Sequence, residues 1–381
     1  LLQKDPRDRL GHAGVVARRI AAILGGPPDS WESARPRAYL YRPGVLGREE
    51  QLARLHAAAV RPQPSGEALA QVIMVGGESG VGKTRLVMEA GLLARRHDLL
   101  LVLLSATASR RGSLHIFRPL LQWVVDQCTA KPERAAALLG QHARLLAAVE
   151  PLLASVPGFD ALPPPPPLPP ERARGRLLEA ILTVLRNAAT DNRLLLILDD
   201  LQWADGLSME ALRVVASGTM QARLTIFGTY RADEVTPALQ RVIEMESTSN
   251  IPLSRLSPEH VDGVVCDMLA VREAPEGFVS FLTDVSEGNP FFVAEYLQAA
   301  VADELLTRDG NGRWILDDEF SEASDPESFR GVSLSQALLD LVDRRVGGVS
   351  PDARRALASA AVLGRISEVS LVEAVSELTT A

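Results

Sequence analysis

The stretch GESGVGKT, Gly77 to Thr84, matches G-x-x-x-x-G-K-[ST] in full. Glycines at this spacing let a loop wrap closely round a phosphate, with backbone N–H groups pointing inward. Lys83 then reaches the β- and γ-phosphates of a nucleotide, and Thr84 offers its hydroxyl to Mg2+. Gly77, Glu78, Ser79, Gly80, Val81, Gly82 and Arg85 complete the nucleotide-binding set expected here. A second stretch, LLLILDDLQWAD (194–205), ends an apolar run on two adjacent carboxylates, Asp199 and Asp200. Side by side they repel, unless a cation comes to meet them. Asp199 is expected to hold Mg2+, directly or through water, and Asp200 to orient or deprotonate the attacking water. Without the glycine-rich loop the pair would read as an ordinary acidic turn. A third stretch, GTYRADE, ends another apolar run on Arg231. A guanidinium there can pair with a γ-phosphate or with charge developing in a transition state. The other reading of Arg231, a surface arginine on a loop, stays open. Lys83, Asp200 and Arg231 are the expected catalytic residues, and Thr84 and Asp199 the expected metal ligands.

These residues need a frame that brings them to one edge. The runs AQVIMV (70–75), LLLVLLSA (99–106), LLLIL (194–198) and LTIFGTY (224–230) predict four strands, and IPLSRL (251–256) a fifth. Helical patterns separate them: GREEQLARLHAAAV, the residues after the glycine-rich loop, roughly 114–155, and 171–189. Alternating strands and helices imply an α/β fold, a parallel sheet with helices on both faces. Strands covered on both sides read as continuous apolar runs, and ligands gather at their C-terminal ends. From 257 onward the strand signal stops, and 258–305 and 333–378 read as mostly helical. LPPPPPLPP (162–170) can join neither a sheet nor a helix interior and reads as a surface spacer.

The chain of 381 residues is too long for one ordinary core. With 40 Lys and Arg against 48 Asp and Glu, its net charge of -8 gives no electrostatic reason to expect nucleic-acid binding by the whole chain. Cys128 and Cys266 lack metal-ligand spacing, and a reducing, cytoplasmic setting fits them. No apolar run approaches a membrane span. Both ends look cut from a longer polypeptide.

VLGREEQLARL, GESGVGKTRLVMEA, LILDDLQWAD, GTYRADE and SEGNPFFVAEYL together resemble the AAA-type ATPase domain of the STAND class, signal-transduction ATPases with numerous domains. The closest pattern is that of LuxR-type bacterial regulators and of ATPases fused behind Ser/Thr kinases. The resemblance covers about residues 43–365. It implies a P-loop NTPase core at 43–256, a helical lid with connecting loop at 257–332, and a truncated winged-helix-like domain at 333–381. It also implies that Val45, Gly47 and Arg48 lie by the adenine, and that Gly288, Asn289 and Pro290 match the G-x-P motif of the lid, whose proline contacts the base. The histidine that some relatives carry in the winged helix has no counterpart, since no His follows His260. Residues 1–26 resemble the last helices of a Ser/Thr protein kinase, without its chemistry, and 27–42 read as a linker.

The function expected is an ATP-binding, slowly hydrolysing switch that uses ATP/ADP and Mg2+. Its partners would be other domains of its polypeptide, a kinase upstream and a repeat or DNA-binding domain downstream, with self-association left open. Two alternatives remain: a nucleotide-binding scaffold without turnover, and a P-loop phosphotransferase acting on a small molecule.

Overall fold

The computed structural model describes residues 40–61, 68–97, 99–107, 112–309, 313–316, 350–363 and 369–376, together with residues 16, 20 and 23. The kinase-like ending expected at 1–26 lies outside these apart from three helical residues. So do most of the linker at 27–42 and, of the winged-helix-like segment, residues 333–349. The chain divides into two compact units. One spans Gly44–His260 with Asn289–Phe291; the other holds the described residues before Gly44, Val261–Gly288, and those from Phe292 on.

The first unit is built on five parallel strands: β1 (Gln71–Gly77), β2 (Leu99–Ser105), β3 (Arg193–Asp199), β4 (Leu224–Arg231) and β5 (Thr248–Leu253). Their order across the sheet is β2-β3-β4-β1-β5. Thus β3, β4 and β1 are central, and six of seven residues in β1 and β3 are buried. The uninterrupted apolar runs hide an alternation. Val72, Met74, Leu194, Leu196, Leu198 and Ile226 face one core, and Ile73, Val75, Leu195, Ile197 and Phe227 face the other. This is the period-two pleat of a strand covered on both sides.

Helices α1 (Glu49–Val60) and α2 (Lys83–Ala94) supply the second layer through Leu55, Leu86, Val87 and Ala90. The first layer comes from α3 (Arg118–Ala130), α4 (Arg134–Leu139), α5 (Ala143–Leu146), α6 (Pro170–Asp191), α7 (Gly206–Ala216) and α8 (Pro237–Ile243). Each fully buried Leu, Ile or Phe on these faces contributes about 1.5–3 kcal/mol relative to exposure.

Two expectations need correction. The fifth strand is Thr248–Leu253, not 251–256. It is an edge strand with Thr248, Ser249, Asn250 and Pro252 half-buried or exposed, so its first half carries no apolar run. The helical stretch expected at 114–155 is broken into pieces. Lys131 is extended after α3, and Gly140 ends α4 with φ +53°. Glu150 and Pro151 then start a separate 3-10 turn.

The second unit is mostly helical. It comprises most of α9 (Pro258–Leu269), α10 (Glu276–Ser286), and α11 (Pro290–Ala302) from Phe292 on, with Phe278, Phe281, Leu282, Val293 and Leu297 buried. An antiparallel pair follows, β6 (Leu306–Arg308) and β7 (Trp314–Leu316). Two helices, α12 (Pro351–Leu363) and α13 (Val369–Ser376), pack on each other.

Candidate functional site

The register of the sheet sets three chain ends level. Gly77 of β1 pairs with Arg231 of β4, and the ladder between β3 and β4 runs to Leu198 and Gly228. The glycine-rich loop, the acidic pair and Arg231 therefore share the C-terminal edge of the central strands, where ligands bind in open α/β sheets.

The loop after β1 turns directly into α2. Gly82 caps that helix at φ +99°, a backbone region that costs glycine nothing, and a Cβ there would meet no atom within 4 Å. The space beside the first turn of α2 is open, and the positive end of a helix favours an anion. Lys83 is buried at 7% exposure, and its Nζ donates to the Gly77 carbonyl at 2.9 Å and the Glu78 carbonyl at 2.7 Å. The loop thus wraps its own lysine. Burial pushes the Lys83 pKa below the ordinary lysine value; Asp200 raises it, Arg231 lowers it, and Asp199 and Asp233 raise it.

The Thr84 hydroxyl donates to Asp199 Oδ1 at 2.8 Å. The two expected metal ligands are therefore in direct contact. Among the described residues no group of three or more His, Cys, Asp or Glu could hold a metal alone. A hydroxyl and one carboxylate beside a phosphate loop suit Mg2+, which takes few protein ligands and fills its shell with phosphate oxygens and water.

The carboxylates of the two aspartates, adjacent in sequence, have different partners, although Thr229 Oγ1 meets both residues. Asp199 is buried and also accepts the Thr229 hydroxyl at 2.5 Å. Asp200 sits in the left-handed region at φ +57°, uncommon for a residue with a side chain. Its N–H donates to Thr229 Oγ1 at 3.0 Å, and its Oδ1 accepts Gln202 Nε2 at 2.8 Å. Arg231 approaches the same carboxylate, Nε to Oδ1 at 3.8 Å, and forms its closer ion pair with Glu234 at 2.8 Å. Its guanidinium lies 4.8 Å from the centre of the Trp203 ring. Asp205, the last acid of the quoted stretch, is a helix cap. It accepts the N–H groups of Leu207 and Ser208 at the start of α7 and lies 3.0 Å from His115 Nδ1.

The remaining expected residues are placed as follows. Arg48 is buried, its pKa lowered by burial with Glu49 offsetting, and it donates to the Ser254 carbonyl beyond β5. Val45 packs against the α1–α2 layer. Glu78 is exposed and paired with Arg255 at 2.9 Å, Val81 is buried, and Arg85 is half-buried on α2. Pro290 is half-buried. Its neighbour Asn289 is buried and donates from Nδ2 to the Ser79 carbonyl at 2.9 Å, while its Oδ1 accepts the Phe291 N–H at 3.1 Å. A Cβ on Gly80, itself at φ +83°, would come within 2.8 Å of Asn289 and Phe291. Sequence reasoning passed over Thr229, Gln202 and Trp203. All three sit inside quoted stretches, Gln202 and Trp203 in LLLILDDLQWAD and Thr229 in GTYRADE, which was the available signal.

Residues 44–227 match the protein family described as AAA ATPase domain. The match spans the glycine-rich loop and the acidic pair and ends inside β4, before Arg231. No curated protein matches the sequence. Among solved structures, the chain is similar to the Orc1 protein of Aeropyrum pernix in complex with DNA, at 15% identity and TM-score 0.43, covering 88% of this chain and 78% of that one. It is also similar to Cdc6p of Pyrobaculum aerophilum, at 14% identity and TM-score 0.42, covering 90% and 81%. Among the described residues, no helix is long and apolar enough to cross a membrane.

Proposed function

We propose that the unit built on the five-stranded sheet binds ATP and ADP with Mg2+, hydrolyses ATP slowly, and acts as a switch within a multidomain regulator of the STAND class. The observation that carries this is the contact of Thr84 with Asp199 at the mouth of a loop that already buries Lys83. In this reading Lys83 exchanges the Gly77 and Glu78 carbonyls for β- and γ-phosphate oxygens. Thr84 and Asp199 hold Mg2+, which supplies positive charge beside the phosphates. Asp200, its carboxylate fixed by Gln202, orients the water, and Arg231 leaves Glu234 for the γ-phosphate. Val45, Arg48 and Pro290 would face the base. The remaining partners are a kinase upstream and a repeat or DNA-binding domain downstream, in the cytoplasm.

A second reading, a nucleotide-holding scaffold without turnover, is favoured by one observation. Arg231 is already engaged by Glu234, Asp200 and Trp203. Phosphate release measured with and without a phosphoryl acceptor separates the readings. The switch gives slow release that needs no acceptor and is lost in Asp200→Asn. Binding without release leaves the scaffold, and ADP formed only with an acceptor, the phosphoryl group passing to that acceptor and no free phosphate appearing, indicates a phosphotransferase.

A further inference from the structure

The main-chain ladder between β3 and β4 ends at Leu198 and Gly228, whereas that between β4 and β1 continues to Arg231 and Gly77. Arg231 is thus tied by its backbone to the strand that leads into the phosphate loop. Past the end of the β3–β4 ladder, Asp199 and Asp200 are joined to β4 through side chains. One of these is the Thr229 hydroxyl. A second is Gln202, in the turn Leu201–Trp203 after β3, buried at 7% exposure, beside the direct approach of Arg231 Nε to Asp200 at 3.8 Å. Its Nε2 donates to Asp200 Oδ1 at 2.8 Å, and its Oε1 accepts the Arg231 N–H at 3.2 Å. The amide orientation is dictated by these partners: flipped, it would set an NH2 against an N–H and an oxygen against a carboxylate. A buried amide costs stability unless both ends are satisfied, and an apolar side chain of similar size would fill the same volume.

We propose that Gln202 is a positioning residue that couples Arg231 to Asp200, so that the group reading the third phosphate and the group orienting water move as one. The proposal rests on the nucleotide-binding reading above. A shift of the Arg231 main chain is passed through two hydrogen bonds to the Asp200 carboxylate. Occupancy by ATP thereby sets the aim of Asp200, and occupancy by ADP, which leaves Arg231 on Glu234, does not.

The test uses the whole chain with Mg2+ and fluorescent forms of ADP and of a non-hydrolysable ATP analogue. Gln202→Met keeps the volume and removes both hydrogen bonds, and Gln202→Ala guards against a misfit of the longer side chain. Either substitution should reduce the preference for the ATP analogue about tenfold while leaving ADP affinity within about twofold. Combined with Arg231→Ala, neither should lower that preference beyond Arg231→Ala alone, because the two residues act through one linkage. Equal losses for both nucleotides, additive effects in the double variant, or a wild type without preference would overturn the coupling. A wild type that binds neither nucleotide overturns the nucleotide-binding reading and the coupling together. A wild type that binds both, with additive variants, overturns the coupling alone.

Discussion

Replacing Lys83 by methionine distinguishes a lysine that holds the loop from one kept for phosphate. The ammonium is buried, and burial lowers its pKa. Its loss removes hydrogen bonds to two carbonyls. The Gly77 carbonyl also accepts the Ala232 N–H at 3.2 Å, and Glu78 is exposed, so water can replace the ammonium there. Hydrogen bonds to a charged group contribute roughly 1.5–3 kcal/mol each. Against them stands the cost of burying a cation, about several kcal/mol. The two offset each other, and the ligand-free variant should melt within about 3 °C of wild type. With MgATP at 100 times Kd, wild type gains about 2.7 kcal/mol. At roughly 2–4 °C per kcal/mol for a domain of this size, that is an upward shift of roughly 5–11 °C. The variant should show almost none of it. Differential scanning fluorimetry with and without MgATP and MgADP reads both quantities. A variant that keeps the full ligand shift would refute the phosphate assignment. A ligand-free variant that melts about 10 °C lower would make Lys83 a strut of the loop.

Three further outcomes are expected. Asp199→Asn should weaken Mg2+-dependent binding, whereas Asp200→Asn should leave binding nearly intact and slow phosphate release; calorimetry and turnover that change alike in both variants would contradict separate roles for the two carboxylates. Arg231→Ala should lower affinity for ATP and spare ADP, and equal losses in titrations of each would place its function on Glu234 instead. Thr229→Val keeps the shape of a fully buried side chain but strips a donor from Asp199 and leaves the Asp200 N–H unpaired. It should cost about 1–3 kcal/mol in urea unfolding without nucleotide, and an unchanged midpoint would argue that water or a shifted turn satisfies that N–H.

Much of this architecture was legible because burial on both faces writes itself as an apolar run. The central strands carry such runs, and their ends carry the charged groups. The edge strand β5 was misplaced because exposure frees its residues to be polar. The glycine-rich turn between a strand and a helix was legible because its own spacing defines its geometry. The contacts of Thr229, Gln202 and Asn289 were not, since each is made with a distant partner. Thr229 meets Asp199 through strand register, Gln202 meets Arg231 across the sheet, and Asn289 meets the Ser79 carbonyl from a segment far along the chain. Residues at such separations carry no mutual signal in a single sequence. Position in a motif was a partial guide: the aspartate closing LQWAD is a cap, while the glutamine inside it links two site residues.

The place of β1 in the sheet bears on how the protein comes to exist at all. Val72 pairs with Ile226 on one side and with Thr248 on the other, so both neighbours of the phosphate-loop strand are made long after it. At about 5–20 residues per second, the interval between synthesis of β1 and of β5 is roughly 10 to 35 s. During that time the strand has two open edges and two apolar faces. Pairings this distant in sequence also close large loops before they gain any contact energy, which slows folding. The setting of the glycine-rich loop is therefore among the last features to form on a nascent chain. Newly made protein should pass through a window in which it is sensitive to aggregation and to chaperones, and in which added nucleotide gives no protection.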